Sequence, residues 1–315
     1  MGAYAIRRVL WLIPTLLGVS VIIFTLLHVA PGDAARAMLD ANASEEEVNE
    51  LREALGLNRP LPIQYAAWVG NVLQGDLGKS YSRRTDVRDD LFRSVKNTLV
   101  LAMTSAVLVI VIGSSLGTIA AFNRGRFVDK LVTALAITGL AVPSFWLAIV
   151  LVIVFSVQLG WLPSAGMQSL IGGGSIGDIA KHLVLPSIAL ASGGIGVLAR
   201  FVRTTVLDLV GQEFVVALRA RGIKTGRIVV HVMKNAAPPL MTLMGLQFAG
   251  LLGGSVLVET VFTYPGTGWL MNIAIFQRDV PIIMAAVLLL SSIYVVANLL
   301  VDLTQGLIDP RIRRG

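Results

Sequence analysis

The chain has 315 residues, of which 55% are hydrophobic and 14% are charged, and it carries a formal net charge of +7 and no cysteine. Together with a mean hydropathy of +0.76, this composition excludes a water-soluble globular protein. The lack of cysteine excludes disulfides, iron–sulfur clusters and thiolate metal sites, and the three histidines are scattered, so no metal site is predicted. We therefore predict an all-α integral membrane protein, because helices satisfy their own backbone hydrogen bonds in lipid.

Six apolar runs are long enough to cross the roughly 30 Å of bilayer hydrocarbon at about 1.5 Å per residue. They occupy residues 9–29, 98–122, 131–157, 183–205, 240–258 and 281–301. The first run follows Arg7 and Arg8, as the apolar region of a cleaved signal peptide would. However, its 21 residues exceed the usual length of about 7–15 residues for such a region. We therefore predict an uncleaved first span and six transmembrane helices in all.

The basic residues are distributed unevenly between the two sides of the membrane that six spans define. The side with both termini carries 15 basic and 5 acidic residues, whereas the opposite side carries 11 basic and 14 acidic residues. Basic residues concentrate in cytoplasmic connections, so both termini are predicted to be cytoplasmic. The same bias accounts for the positive net charge, and no nucleic acid partner is predicted.

The connection after the first span, residues 30–96, is predicted to be a folded extracytoplasmic loop. Ser44 and Glu47 form a capping-box pair ahead of an amphipathic helix that ends at Gly56. The predicted buried face of this helix consists of Val48, Leu51 and Leu55. A second helical piece over residues 63–73 carries Tyr65, Trp68 and Leu73. The loop could therefore cover the membrane surface or meet an external partner.

Small residues recur within the apolar runs. Gly113 and Gly117 form one small-xxx-small face, and Gly245, Ala249 and Gly253 form another. Such faces let helices approach closely, either within this chain or against a second membrane subunit. Pro186 and the run Ser192–Gly196 predict a bend or a line of close approach beside a pathway.

Ionisable groups are absent from long stretches of five of the predicted spans. Residues 98–122, 131–157, 183–199, 240–258 and 281–301 contain no Asp, Glu, Lys, Arg or His. Carriers driven by ion gradients usually place such groups at membrane depth, and no nucleophile–base arrangement is visible either. A phosphate-loop interpretation of Gly78-Lys79-Ser80 fails because that motif requires glycine where Leu73 stands. We predict no catalytic residue and no enzyme activity in this chain.

The segment 206–239 is the one long basic insert that the charge count places in the cytoplasm. Glu213 to Arg221 is predicted to form about two helical turns that end at a glycine cap, Gly222. The residues on one side of this helix are Phe214, Ala217, Leu218 and Arg221. Thr225 is predicted to cap a second helix that ends at Asn235, before Pro238 and Pro239 begin the next span. A short helix with a defined end predicts docking on a cytoplasmic partner.

The sequence ALRARGIKTGRIVVHVMKNAAPP at 217–239 resembles the EAA loop of permease subunits of binding-protein-dependent ABC importers. It is most similar to the version in the dipeptide and oligopeptide (peptide/nickel) permease family. Further ordered matches are RRVLWLIPTLLGVSVIIF at 7–24, APGD at 30–33, LGLNRPLPIQY at 55–65, GDLGKS at 75–80, VPSFWLA at 142–148, GLQFAGLLGGSVLVETVFTYPGTG at 245–268 and RDVP at 278–281. The resemblance therefore extends along nearly the whole chain.

This resemblance implies the type I ABC importer permease fold, a single transmembrane domain over residues 1–315, in a bacterial cytoplasmic (inner) membrane. It implies four kinds of partner besides the lipid bilayer. These are a second homologous permease subunit, two cytoplasmic ATPase subunits, an extracytoplasmic substrate-binding protein and the transported substrate. ATP and Mg would be bound by the ATPase subunits, and this chain would hold no cofactor.

The resemblance also implies roles for individual residues. The residues expected to contact an ATPase are Glu213, Phe214, Ala217, Arg219, Ala220, Arg221 and Gly222. The family's loop is named for a glutamate whose position is occupied here by Val216, so no glutamate contact is assigned to it. The residues expected along the translocation path are Ser144, Ser192 and Gln247.

Several alternatives stay open at the level of the sequence. The expected substrates are di- or oligopeptides, but similar permeases import glutathione or nickel chelates. A stand-alone channel or carrier, which would work without partners, is an alternative of another class, and a flux assay on the reconstituted single chain separates the two. An intramembrane enzyme would need reactive groups that the spans lack.

Overall fold

The computed structural model describes residues 2–29, 36, 39, 44–54, 56–169 and 171–308, with the backbone alone for residues 2–9, 51, 54, 302 and 304–308. The described residues form twelve α-helices. These are α1 (Gly2–Val29), α2 (Glu45–Ala54), α3 (Leu61–Leu73), α4 (Val87–Leu108), α5 (Ser114–Phe122), α6 (Phe127–Ala141), α7 (Ser144–Leu151), α8 (Ile176–Val210), α9 (Glu213–Ala220), α10 (Thr225–Val261), α11 (Thr267–Phe276) and α12 (Val280–Ile308). Two π-helical segments occur, Val109–Gly113 between α4 and α5 and Val152–Gln158 after α7.

Five helical stretches are long and apolar enough to cross a membrane. They are Leu10–Val29, Val87–Phe122, Ile176–Val210, Thr225–Val261 and Val280–Val301. A sixth crossing results if α6 and the helix over Ser144–Gln158 count as one broken span. The all-helical membrane fold with five to six candidate spans confirms the predicted fold class.

The third predicted span differs from a single straight helix, because it bends by 101° between Ala141 and Ser144. Val142 has extended backbone angles (φ −81°, ψ 121°), and Pro143 precedes the first residue of α7. Proline disfavours helical geometry in the residue before it and cannot donate a backbone hydrogen bond. The apolar run 131–157 predicts one span, but the structure has two helices here, and the position of Pro143 decides where the break occurs.

The chain divides into two compact units. The first consists of Met1–Ala5, Leu99–Tyr264 and Val296–Gly315, and the second of Ile6–Thr98 and Pro265–Val295.

In the first unit, α8 contacts α5, α6, α7 and α10. The contacts are close where glycine leaves room: a β-carbon added at Gly117 would lie 2.5 Å from the Ala199 carbonyl oxygen, and one at Gly196 would lie 2.3 Å from that of Ala136. The predicted small face of Gly113 and Gly117 therefore packs within this chain. On α10, a β-carbon at Gly245 would meet Val301 at 2.7 Å, whereas none of the described atoms lies within 4 Å of one at Gly253.

In the second unit, α3 packs on α1 through aromatic side chains. The Ser20 hydroxyl lies 2.7 Å from the Tyr65 hydroxyl, and the Phe24 ring centroid lies 5.3 Å from that of Tyr65 and 6.0 Å from that of Trp68. The predicted helical piece is thus confirmed, and its two amphipathic aromatic residues are the ones that meet α1. Leu73, predicted beside them, is exposed.

The capping box at the start of α2 is confirmed. The Ser44 backbone N–H donates to the Glu47 carboxylate at 2.8 Å, and the Glu47 backbone N–H donates to the Ser44 hydroxyl at 3.3 Å. Hydrogen bonds from the Ser44 backbone and side chain lower the pKa of Glu47. Gly56 ends the helix with φ +68°, and Val48 is fully buried. The side chain of Leu51, all of Leu55 and the segment 30–33 lie outside the described residues.

Candidate functional site

The helix α9 ends in a well-formed glycine cap. Gly222 has φ +69°, its N–H donates to the Arg219 carbonyl at 2.9 Å, and the Ile223 N–H donates to the Leu218 carbonyl at 3.2 Å. This pair of bonds is the Schellman arrangement, which satisfies carbonyls that a helix end leaves unpaired. The glycine cap predicted from the sequence is confirmed, and it fixes where the short helix stops.

One side of α9 is anchored against the start of α10. Val215 is fully buried and belongs to an apolar cluster with Ile228 and Val232, while Phe214 and Leu218 pack partly buried against it. The predicted apolar side is therefore displaced: Ala217 and Arg221, which were expected on it, are exposed. Phe214, Val215 and Leu218 fall within about one-third of the helical circumference, so the buried side includes Val215, which the predicted side did not.

The rest of the α9 surface is exposed. Six of the seven residues predicted to contact a partner are exposed, namely Glu213, Ala217, Arg219, Ala220, Arg221 and Gly222. Phe214, the seventh, is half-buried, and 59% of Val216 is exposed. Neither Arg219 nor Arg221 forms an ion pair with a described residue. The helix therefore presents an exposed surface that includes Arg219 and Arg221, while its buried side packs on α10 through Val215.

The segment after α9 differs from the prediction. Lys224, not Thr225, is the N-cap residue, and it makes no side-chain capping bond. The predicted end at Asn235 is wrong, because α10 continues through Pro238 and Pro239 to Val261. A buried row at four-residue spacing crosses this point without interruption; its members are Ile228, Val232, Ala236 and Leu240. Packing of this row outweighs the hydrogen bonds that the two prolines remove.

Two of the three residues predicted along a pathway form hydrogen bonds with α8 carbonyls. The Gln247 amide on α10 donates to the Gly194 carbonyl at 3.4 Å, and the Ser192 hydroxyl donates within α8 to the Ala189 carbonyl at 2.9 Å. Both residues are half-buried. Ser144 is half-buried on a different helix, at the first position of α7. The run around Gly194 and Gly196 accordingly serves close helix packing.

An ion pair that the sequence did not predict joins α6 to α8. Arg203 donates to Asp129 through Nε at 2.6 Å and through a terminal guanidinium nitrogen at 2.8 Å. The Gly125 N–H donates to the same carboxylate at 2.9 Å. Asp129 is 4% exposed. This two-pronged geometry is the strong form of an arginine–carboxylate contact.

A second unpredicted cluster surrounds Asp279, between α11 and α12. One oxygen of its carboxylate accepts hydrogen bonds from the Ser80 hydroxyl, the Ser82 N–H at 3.1 Å and the Ser82 hydroxyl at 2.8 Å. Asp279 is fully buried. Burial and the nearby Asp279 charge raise the pKa of Tyr81. The loop that resembled a phosphate-binding motif thus holds a carboxylate of its own chain.

Comparison with known families accounts for nearly the whole length of the chain. Residues 113–314 match the family described as binding-protein-dependent transport system inner membrane component, and residues 1–102 match the corresponding N-terminal family. The chain belongs to this family. It is therefore a multi-pass inner membrane component of a binding-protein-dependent transport system and not an enzyme.

Curated relatives cover almost the complete chain. It is 38% identical over 314 residues to the oligopeptide transport system permease protein AppB of Bacillus subtilis, which covers 99% of both chains. It is 40% identical over 311 residues to the glutathione transport system permease protein GsiC of Escherichia coli, which covers 98% of both chains. The family predicted from the EAA-like segment is thereby confirmed.

A solved structure shares the fold. A chain from the MetNI methionine ABC transporter, crystallised in inward-facing conformations, is 20% identical with a TM-score of 0.57 and covers 70% of this chain and 96% of that chain. At this identity the likeness concerns the fold alone.

Proposed function

We propose that this chain is one of two homologous permease subunits of an ABC importer that carries di- or oligopeptides into the cytoplasm. Two cytoplasmic ATPase subunits would bind ATP and Mg, and an extracytoplasmic binding protein would deliver the substrate. The relatives support a peptide as the substrate class, because one is named for oligopeptides and the other for glutathione, which is itself a small peptide. A nickel chelate has no comparable support among these relatives.

The observation that carries the proposal is the exposed side of α9. Its buried side fixes it to α10 through Val215, and the glycine cap fixes its end, so a force applied to the exposed side moves the helix as a body. In the proposed mechanism, ATP binding closes the two ATPases, whose surfaces hold one such helix from each permease subunit. The helices then reorient the spans between inward-facing and outward-facing states. ATP hydrolysis stays in the ATPases.

Peptide passage is proposed along α7, α8 and α10, beside Ser144, Ser192 and Gln247. These side chains offer hydroxyl and amide groups that can exchange hydrogen bonds with a peptide backbone. Their partial burial is consistent with a narrow polar path among apolar helices. We therefore retain them as the proposed path residues.

Sidedness is also proposed: 206–239 would form the cytoplasmic coupling loop and 30–96 the extracytoplasmic loop. The contact between Asp129 and Arg203 supports this arrangement, because it brings the basic connection 123–126 to the same end of the first unit as the end of α8. Both segments belong to the side with the basic excess.

A cysteine-labelling experiment tests the sidedness. The chain lacks cysteine, so Asp89→Cys and Arg126→Cys each introduce a single thiol at an exposed position. In intact cells or right-side-out vesicles, an impermeant maleimide is expected to label position 89 and to label position 126 only after permeabilisation. Labelling of position 126 in sealed cells would reverse the proposed orientation.

Charge reversal tests the docking surface. Arg219→Glu combined with Arg221→Glu is expected to reduce co-purification of the ATPase subunits about tenfold, because reversal of charges at the rim of an interface costs about 1.4 kcal/mol or more in total. Arg124→Glu is the matched control, since Arg124 is exposed on the same proposed side but lies outside α9. Equal co-purification with the double variant and with the Arg124→Glu control would contradict docking through α9.

The stand-alone channel or carrier is separated from the importer by reconstitution. Proteoliposomes that contain this chain alone are expected to show no peptide flux, whereas the assembled complex with binding protein and ATP is expected to accumulate peptide. The substrate class is checked in the same system by competition between a labelled dipeptide, an oligopeptide and glutathione. Flux by the single chain would favour the carrier.

A further inference from the structure

The helices α6 and α8 run antiparallel and in register over their shared length. Three contacts mark the register: Asp129 with Arg203, Ala136 with Gly196, and Gly139 with Ser192. At the last of these, a β-carbon on Gly139 would lie 3.1 Å from the Ser192 carbonyl oxygen. The residues between the first contact and the last span about 15 Å of helix. The second and third contacts are close backbone approaches at a glycine, and the first is an ion pair between side chains.

The ends of this helix pair lie at functionally different places. At one end, α8 passes through Gly211 and Gln212 directly into α9, the proposed docking helix. At the other end, Ser192 is a proposed path residue, and α6 leads through Val142 and Pro143 into α7, where Ser144 begins. A displacement of α9 therefore reaches α8 through the chain itself. It reaches α6 as a rigid-body movement only if α6 stays attached to α8. The helix α7 then moves both through its own contact with α8 and through its chain connection to α6.

We infer that Asp129 and Arg203 are positioning residues of transport, whose ion pair holds α6 to α8 so that the motion of α9 also reaches α6 and, through Val142 and Pro143, the path residue Ser144. The inference rests on the proposed function. Its geometric basis is the doubly hydrogen-bonded pair, which fixes both distance and orientation, and the Gly125 N–H, which ties the turn before α6 to the same carboxylate. The pair lies at the end of the helix pair nearest α9, where a displacing force enters.

The test uses the complete complex in proteoliposomes and measures peptide uptake, ATP hydrolysis and ATPase co-purification together. Asp129→Asn and Arg203→Gln are each expected to keep ATPase co-purification while lowering uptake per ATP hydrolysed about fivefold or more. Arg200→Gln is the matched control, because Arg200 is exposed one turn earlier on α8, and it is expected to behave as the original chain does.

A double variant separates positioning from mere stability. Asp129→Asn with Arg203→Gln leaves no unpaired charge, so it is expected to restore the amount and thermal stability of the complex above those of the single variants. Uptake per ATP is nevertheless expected to stay low. A double variant with the original uptake per ATP would overturn the inference and leave the pair a structural role only.

A covalent substitute completes the test. The chain has no cysteine of its own, so the double variant Asp129→Cys with Arg203→Cys has only these two thiols. Its uptake per ATP hydrolysed is expected to be low until a bis-methanethiosulfonate reagent bridges them. Bridging is expected to recover at least about half of the original uptake per ATP, because attachment is restored without charge. Loss of uptake on bridging would show that the two helices must separate, which overturns the inference. Failure of the unaltered chain to co-purify with the ATPase subunits would instead contradict the proposed function.

Discussion

Gly222→Val is expected to lower coupled peptide uptake at least tenfold while the chain still inserts into the membrane. Gly222 has φ +69°, a conformation that costs an L-residue about 1–2 kcal/mol and a β-branched residue more. No described atom lies within 4 Å of a β-carbon at this position, so the effect arises from the backbone and not from a clash within the chain. Relaxation of φ would break the two capping bonds and turn α9 away from its partner. The measurements are ATPase co-purification and substrate-stimulated ATP hydrolysis.

Two controls isolate the backbone effect at this position. Gly222→Asn is expected to retain most activity, because asparagine adopts left-handed backbone angles more readily than other residues. Gly226→Val places the same side chain four residues later, in the first turn of α10, where a β-carbon also meets open space, and little loss is expected. Full uptake and full stimulated hydrolysis with Gly222→Val would exclude α9 as the coupling helix.

What the sequence predicted well depended on local signals. Gly56 and Gly222 both end short helices with the expected positive φ, and Ser44 caps α2 with Glu47 as expected. Each of these features is decided within about five residues of chain, so a single sequence contains the relevant information. Membrane spans are similarly local, because run length and hydropathy decide them.

The errors occurred where tertiary packing outweighed local chemistry. Pro238 and Pro239 are strong local signals for a helix boundary, yet the buried row through Ala236 and Leu240 carries α10 past them. Pro143, by contrast, produces a bend of 101° within a run that reads as one span. Pro238 and Pro239 therefore leave α10 continuous, whereas Pro143 breaks its helix. The difference depends on packing against neighbouring helices, which a sequence does not reveal.

The buried carboxylates of Asp129 and Asp279 show the same limit for function. Asp129 and Arg203 are separated by 74 positions, and Ser80 and Asp279 by 199. The motifs GDLGKS and RDVP were each noted for their resemblance to the family, but nothing local indicates that they meet. Their pairing follows from the fold of the second unit, and it gives Asp279 a role that the sequence could not assign.

Asp279→Ala is expected to release the loop 78–87 from the α11–α12 connection. The substitution removes the acceptor of three hydrogen bonds from Ser80 and Ser82. Hydrogen bonds to a charged group contribute about 1.5–3 kcal/mol each, so the free energy that holds the loop closed is expected to fall by about 2 kcal/mol or more. Opening of the loop should then be at least about thirtyfold more frequent. Arg83 and Arg84 lie exposed in this loop, so trypsin cleavage at these residues in right-side-out vesicles measures the opening directly.

Asp89→Ala provides the matched control, because Asp89 is an exposed aspartate in the first turn of α4 that has no hydrogen bond to a described side chain. Its cleavage rate is expected to stay within about twofold of the original, in keeping with the small effect of most surface substitutions. Ser82→Ala removes only the hydroxyl bond to Asp279 and leaves the backbone bond, so an intermediate rate is expected. A rate for Asp279→Ala equal to that of Asp89→Ala would show that the loop is held by its other contacts, such as the ion pair of Arg83 with Asp90, and not by the buried carboxylate.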